Sequence, residues 1–194
     1  MKFIYGKICV ALAILSLPIA GFAYSNYSIS PDKSVQIGWE CKDSRSCSVF
    51  AKSRNGDIFW IWKEGMPEPS VKWLNKSLAE IRVSCGSPCY NSVFYSTTLG
   101  LSDPYDFVLA VEPNNMLIAK AELEAISITK IYDKKHRTIK LIERNFSPAA
   151  SIVQTVKEAK FLNANQLYLR YLVGKDYVSK EETIDFKCIE KNYN

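Results

Sequence analysis

One rhythm governs this chain: a short run of β-branched and aromatic residues, a polar turn, then another such run. Runs 47–52 and 58–62 flank "SRNGD", whose Asn-Gly pair is a strong hairpin signal because both residues tolerate positive φ. Runs 107–112 and 116–122 flank a Pro-Asn-Asn turn, 126–132 and 138–144 flank "DKKHR", and 167–173 and 182–188 flank "GKDYVSK". A strand is also expected over 35–40. Successive hairpins predict an all-β fold built as an antiparallel meander. Two stretches, "KSLAEIRVS" and "NMLIAKAELEAI", contain good helix formers. The first runs into strand-favouring residues, and the turn before the second favours a hairpin. Residues 149–162, "AASIVQTVKEAKFL", share this ambiguity and are read as a strand.

A weak internal repeat sits on this rhythm. "VKWLNKSLAEIRV" at 71–83 resembles "AKFLNANQLYLRYL" at 159–172, an offset of 88 residues. Both run Lys, aromatic, Leu, Asn, then a polar turn and an apolar strand. A propeller blade takes about 40–45 residues, so residues 24–194 could hold about four. A propeller-like domain and a two-sheet sandwich both accommodate the strands.

The N-terminus sets the compartment. Lys2 and Lys7 precede an apolar run from Ile8 to Ile19, and Gly21 and Ala23 follow as small residues. This is the three-part pattern of a secretory signal peptide, and its apolar core is short for a membrane span. Residues 1–23 are therefore expected to be removed, leaving a single β-rich domain over 24–194, exported to the periplasm with no integral membrane span. Without Lys2 and Lys7 the chain keeps 23 basic residues against 20 acidic ones, dispersed along its length. That is no nucleic-acid footprint.

Five cysteines lie beyond the leader. An exported chain meets oxidising conditions, so disulfides are the expectation. Cys41 and Cys47 bracket the polar turn "KDSRS", and Cys85 and Cys89 bracket "GSP". Local pairing suits both spacings, with Cys188 left over as a buried thiol or an alternative partner. The spacings are wider than a zinc site uses, His136 is the sole histidine, and CGSPC is not the CxxC of a redox centre. No metal and no cofactor are expected.

Local motifs offer no catalytic constellation: no GxSxG elbow, HExxH, glycine-rich phosphate loop or calcium loop occurs. His136 lies in a basic turn, and acid pairs such as Glu181-Glu182 look like exposed turn residues. The chain is read as a binding protein rather than an enzyme. Aromatics crowd its first half. Strand alternation in "IFWIW" places Ile58, Trp60 and Trp62 on one face, with Phe59 and Ile61 on the other. Such a strand is either buried on both sides or presents an aromatic face to a protein or sugar. The stretch "CGSPCYNSVFYSTTLGLSDPYD" is the best presented loop. A disulfide would brace its start, and Tyr90, Asn91, Tyr95, Asp103 and Tyr105 are the candidate partner-binding residues. A pre-ordered loop loses little entropy on binding.

An exported all-β chain with "SCGSPC" followed by an aromatic strand resembles periplasmic immunity proteins of type VI secretion systems. The resemblance rests on residues 84–95 and on general architecture. It implies a protein that binds a toxic effector and neutralises it by occlusion, as an inhibitor does, with no family binding residue transferable one by one. The alternatives are a carbohydrate- or envelope-binding module using the aromatic patch and, further off, a hydrolase whose site is assembled from distant residues.

Overall fold

The computed structural model describes residues 24–147 and 151–187. The expected leader and Cys188 lie outside these residues. Four antiparallel sheets follow one another along the chain. The first is β1 (Tyr24–Ile29), β2 (Val35–Asp43), β3 (Ser46–Ser53) and β4 (Ile58–Met66), in that spatial order. The second is β5 (Ser70–Trp73), β6 (Leu78–Gly86) and β7 (Cys89–Ser96), with the short β8 (Gly100–Leu101) and β9 (Tyr105–Asp106) both paired to β7. The third is β10 (Val108–Glu112), β11 (Leu117–Ala121), β12 (Ala125–Lys130) and β13 (Thr138–Glu143). A single helical turn, α1 (Ile152–Thr155), leads into the fourth: β14 (Val156–Asn163), β15 (Gln166–Val173) and β16 (Val178–Asp185).

Hydrophobic alternation explains how the sheets stack. In the second sheet, Ala79, Ile81 and Val93 face the first sheet and share a core with Val35, Ile37, Val49 and Ala51. Their neighbours Leu78 and Phe94 point the other way, into a core with Val108, Ile118 and Ile131. The third sheet repeats the arrangement. Ile118 faces backwards, whereas Leu117, Ala119, Ile126 and Ile128 face forwards onto Leu167, Leu169 and Tyr171 of the fourth sheet. Each such Val, Ile, Leu or Phe side chain, fully buried, contributes roughly 1.5–3 kcal/mol. The middle two sheets are thus covered on both faces, which is why their strands read as near-continuous apolar runs. The all-β expectation holds, with four blade-sized sheets in chain order rather than two. None of the three core clusters joins the first sheet to the fourth.

Both halves of the 88-residue repeat are hairpins of the same make. The Asn75 side-chain oxygen accepts the Ser77 amide at 2.9 Å and the Leu78 amide at 2.8 Å. Asn163 accepts the Asn165 amide at 2.8 Å in the corresponding turn. The shared asparagine closes each turn with its own side chain, as Asx turns do.

Three details depart from the sequence reading. Residues 149–162 were read as one strand; 152–155 instead form one helical turn, and the strand runs from Val156 to Asn163. The final turn is shorter than "GKDYVSK", because Val178, Ser179 and Lys180 already pair with Val173, Leu172 and Tyr171. The alternation in "IFWIW" also breaks. A bulge makes Val49 pair with Trp62 while its neighbour Phe50 pairs with Trp60. One extra residue, Ile61, is absorbed and buried, and Trp62 turns to the core side with Val49. Ile58 and Trp60 stay on the outer face.

Candidate functional site

Both expected disulfides are formed, Cys41–Cys47 and Cys85–Cys89. Cys41 and Cys47 oppose each other across β2 and β3, with Cα atoms 4.0 Å apart. Cys85–Cys89 closes the β6–β7 turn through Gly86, Ser87 and a cis Pro88, with Cα atoms 5.1 Å apart. Gly86 has φ +110°, a conformation that a residue with a Cβ rarely adopts. A short cross-linked loop of this kind shapes one turn more than it stabilises the whole fold.

Beside this turn lies a cleft of about 470 Å³ where the second and third sheets meet α1. Pro88 and Cys89 form one wall, residues 104–107 the floor, and the β11–β12 turn and His136 much of the rest. Leu123 stands at the tip of that turn. The Glu122 amide donates to the Ala125 carbonyl at 2.8 Å, leaving Leu123 and Glu124 as the two tip residues. Leu123 is 97% exposed, the most exposed large apolar side chain among the described residues. At its base, Glu122 accepts from Lys120 and from the Ser127 hydroxyl, each at 2.7 Å. Partial burial raises the Glu122 pKa, but these two bonds and the Lys120 charge outweigh it and hold the carboxyl below its usual value.

The five candidate residues divide between roles. Tyr105 lies at the floor, only 3% exposed, and its hydroxyl donates to the Ile131 carbonyl. Burial, reinforced by Asp103 and Asp133, pushes that hydroxyl up to about 12. Tyr90 is half-buried. Its hydroxyl donates to the Val108 carbonyl at 2.8 Å, and its ring meets Phe107 edge-on with centroids 6.0 Å apart. The Arg82 guanidinium lies over the Tyr90 ring, 4.4 Å from its centroid, a cation–π contact. Asn91 donates to the Asp106 carboxylate at 2.7 Å on the exposed side of β7. Asp103 sits at the rim, 3.4 Å from the His136 imidazole, whose ring stands edge-on to Tyr105 at 5.7 Å. Tyr95 is four residues beyond Asn91 and packs into the core between the first two sheets, away from this edge. The structure therefore brings Tyr90, Asn91, Asp103 and Tyr105 to one edge of the two middle sheets, and leaves Tyr95 apart.

Arg82 also anchors the region from beneath. Glu80 is buried, and its Oε1 accepts Arg82 Nη2 at 2.7 Å and the Ser92 hydroxyl at 2.7 Å. A buried carboxylate needs such partners, and losing one leaves an uncompensated charge. The network locks β6 to β7 directly below the braced turn.

Leu123 and Phe107 were not among the residues singled out in the sequence, and His136, read there as part of a basic turn, lines the cleft. Phe107 occupies a left-handed conformation at φ 51°, unusual for a bulky residue, where the chain passes from the second sheet to the third. Leu123 leaves only a faint trace in sequence: a single apolar residue between two glutamates at a turn. Glu181 and Glu182 do not pair as acids. Glu182 is held by Arg144 at 2.7 Å and by the Tyr171 hydroxyl at 2.6 Å, while Glu181 sits opposite Arg170. Among the described residues, no three of His, Cys, Asp and Glu converge to hold a metal ion, and no helix is long and apolar enough to cross a membrane. No protein-family model matches this chain, and no curated protein matches it significantly.

Proposed function

We propose that the protein is an exported binding protein that neutralises a toxic protein effector by occluding it, as a periplasmic immunity protein does, and that the disulfide-braced edge of the two middle sheets is its contact surface. The observation that carries this reading is the pairing of a fully extended apolar residue, Leu123, with the cleft beside it. Interfaces draw most of their binding energy from a few anchor residues seated in well-packed pockets, ringed by contacts that exclude water. Here Leu123 supplies a knob and the cleft a socket. Asp103, Asn91, Asp106 and Glu124 supply a polar, largely acidic rim. The braced turn, the Glu80–Arg82–Ser92 network and the Tyr105 anchor keep this edge ordered before binding, so little entropy remains to be lost. The two disulfides accord with delivery to an oxidising compartment.

The test is a pull-down from the native cell with the exported protein, followed by mass spectrometry. A single stoichiometric partner is expected. Leu123→Asp should weaken its retention at least tenfold, equivalent to about 1.4 kcal/mol. Asp103→Ala and Asn91→Ala should have smaller effects. An empty pull-down, or a partner retained equally well by Leu123→Asp, would overturn the reading.

A further inference from the structure

The outer face of the first sheet carries a second surface, at the opposite end of the stack from the fourth sheet. Strand pairing places Tyr27, Gly38, Phe50 and Trp60 side by side in one row across β1 to β4. Gly38 is what makes the row flat. A Cβ there would lie 2.5 Å from the tip of the Phe50 ring, so only glycine lets that ring lie down over β2. Trp60 then stands edge-on to Phe50 with centroids 5.4 Å apart. Tyr27 is 64% and Trp60 43% exposed, although neither is needed to cover a core. Ile29 and Ile58, at the two ends of the next row, are about half exposed. Every other sheet-to-sheet boundary in the protein is closed by apolar side chains of this kind.

The charges on this face indicate what covers it. Lys52 lies between Gln36 and Ile58 in the row on one side of the aromatics. Glu40, paired with Ser25 and Ser48, lies in the row on the other side. Both are exposed, and neither forms an ion pair within the described residues. We infer that this face is the interface of a homodimer, in which a second copy packs its first sheet against it about a two-fold axis running along the aromatic row. Rotation about that axis carries Lys52 of each copy across the row to the side where Glu40 of the other stands. It lays the two aromatic rows on one another. The same residues then meet twice, as an isologous interface requires. Aligned sheets pack about 10 Å apart with interdigitating side chains, a spacing that rings of this size fill. A partner of single-sign charge would gain from one flanking row and lose at the other. A copy of this chain brings an opposite charge to each of Lys52 and Glu40.

The experiment is sedimentation velocity across a concentration series, using protein produced from the full-length sequence. Circular dichroism confirms the fold of every variant. The wild type is expected to sediment at twice the monomer mass. Lys52→Glu and Glu40→Lys should each raise the dissociation constant about tenfold or more, since each replaces two attractions by two repulsions. Their combination, Lys52→Glu with Glu40→Lys, should restore the dimer. Tyr27→Ser with Trp60→Ser should abolish it. A wild type that stays monomeric at every attainable concentration would overturn the inference, with or without tryptophan quenching by oligosaccharides. A double charge swap as dissociated as its single parents would overturn it too. The inference does not rest on the effector-binding reading. Monomeric variants should still retain the partner captured at the Leu123 edge, so the two can fail separately.

Discussion

The first and fourth sheets occupy equivalent places at the ends of the stack, yet their outer faces are opposites. Each buries one face in the same way, Ile37, Val49 and Ala51 in the first and Leu167, Leu169 and Tyr171 in the fourth. Outward, the fourth sheet is mostly a polar, solvated surface, although Leu162 and Val178 in its flanking strands are about half exposed. Arg170 stands between Glu158 and Glu181 and bonds Glu158 at 3.2 Å, Tyr168 lies between Lys160 and Thr183, and Gln166 bonds Asp185 at 2.9 Å. This is the polar-out alternation of an antiparallel sheet that ends in water. The first sheet instead turns Tyr27, Phe50, Trp60, Ile29 and Ile58 outward. Folding requires only the inner face of each. The fourth sheet therefore measures what stability demands of an end layer, and the apolar residues on the first are the excess that points to a partner.

Mutations that probe the two sheets should differ sharply. Tyr171 is fully buried and packs edge-on against Phe146 at 5.2 Å. Tyr171→Ala should cost about 3–5 kcal/mol in chemical denaturation, as truncation of a core aromatic does. Trp60→Ala, on the other end face, should cost less than about 1 kcal/mol in the monomer. Equal losses at the two positions would dissolve the contrast.

Removing Cys41–Cys47, which ties β2 to β3, should cost about 2 kcal/mol, the amount expected for a short closed loop. It should leave hydrogen-exchange protection in the fourth sheet unchanged below global unfolding. Loss of protection in both sheets together would mean that the stack opens as one cooperative unit.

The alkaline pH dependence is shared by Tyr105 and Tyr132, in the middle of the stack, and by Tyr171 in the fourth sheet. Burial, followed by the Glu182 bond and charge, pushes the Tyr171 hydroxyl up to about 12. The folded state thus holds a proton that the unfolded chain releases near 10. Stability from Tyr171 is complete below pH 10 and is lost as pH rises from 10 towards 12. Glu182 has the reverse sign: the Arg144 bond comes first among the causes that hold its carboxyl below the usual value. Its contribution is present above the ordinary glutamate range and lost as pH falls through the lowered value. Denaturation midpoints from pH 8 to 12 should fall in the wild type and fall less in Tyr171→Phe. An identical alkaline slope in the two proteins would remove Tyr171 from this account.

The smallest effect should come from Arg170→Ala on the polar end face, below about 0.5 kcal/mol, because its ion pair is exposed. A larger loss would show that the fourth sheet's outer face is more than a solvated surface.

The amino-acid sequence by itself determined the strand rhythm, the hairpin turns and the two local disulfides. These depend on interactions within a few residues: Asn-Gly at 55–56, cysteines separated by six and four positions, and the asparagines that close the turns at 75 and 163. Tertiary structure decided everything that needed a count across strands. One bulge between β3 and β4 parted Trp60 from Trp62, sending one to solvent and the other to the core, because strand facing reverses with each residue inserted. Burial separated Tyr105, a core anchor, from Asn91 and Asp103, which stay accessible. Leu123 became prominent only because strand pairing set it at the tip of the two-residue β11–β12 turn, where it is almost fully exposed. The aromatic row exists only through the pairing of four strands, with Gly38 placed where Phe50 must lie down. Local chemistry can be read along a chain. Which face a residue presents, and what it meets there, depends on register and packing between segments far apart in sequence.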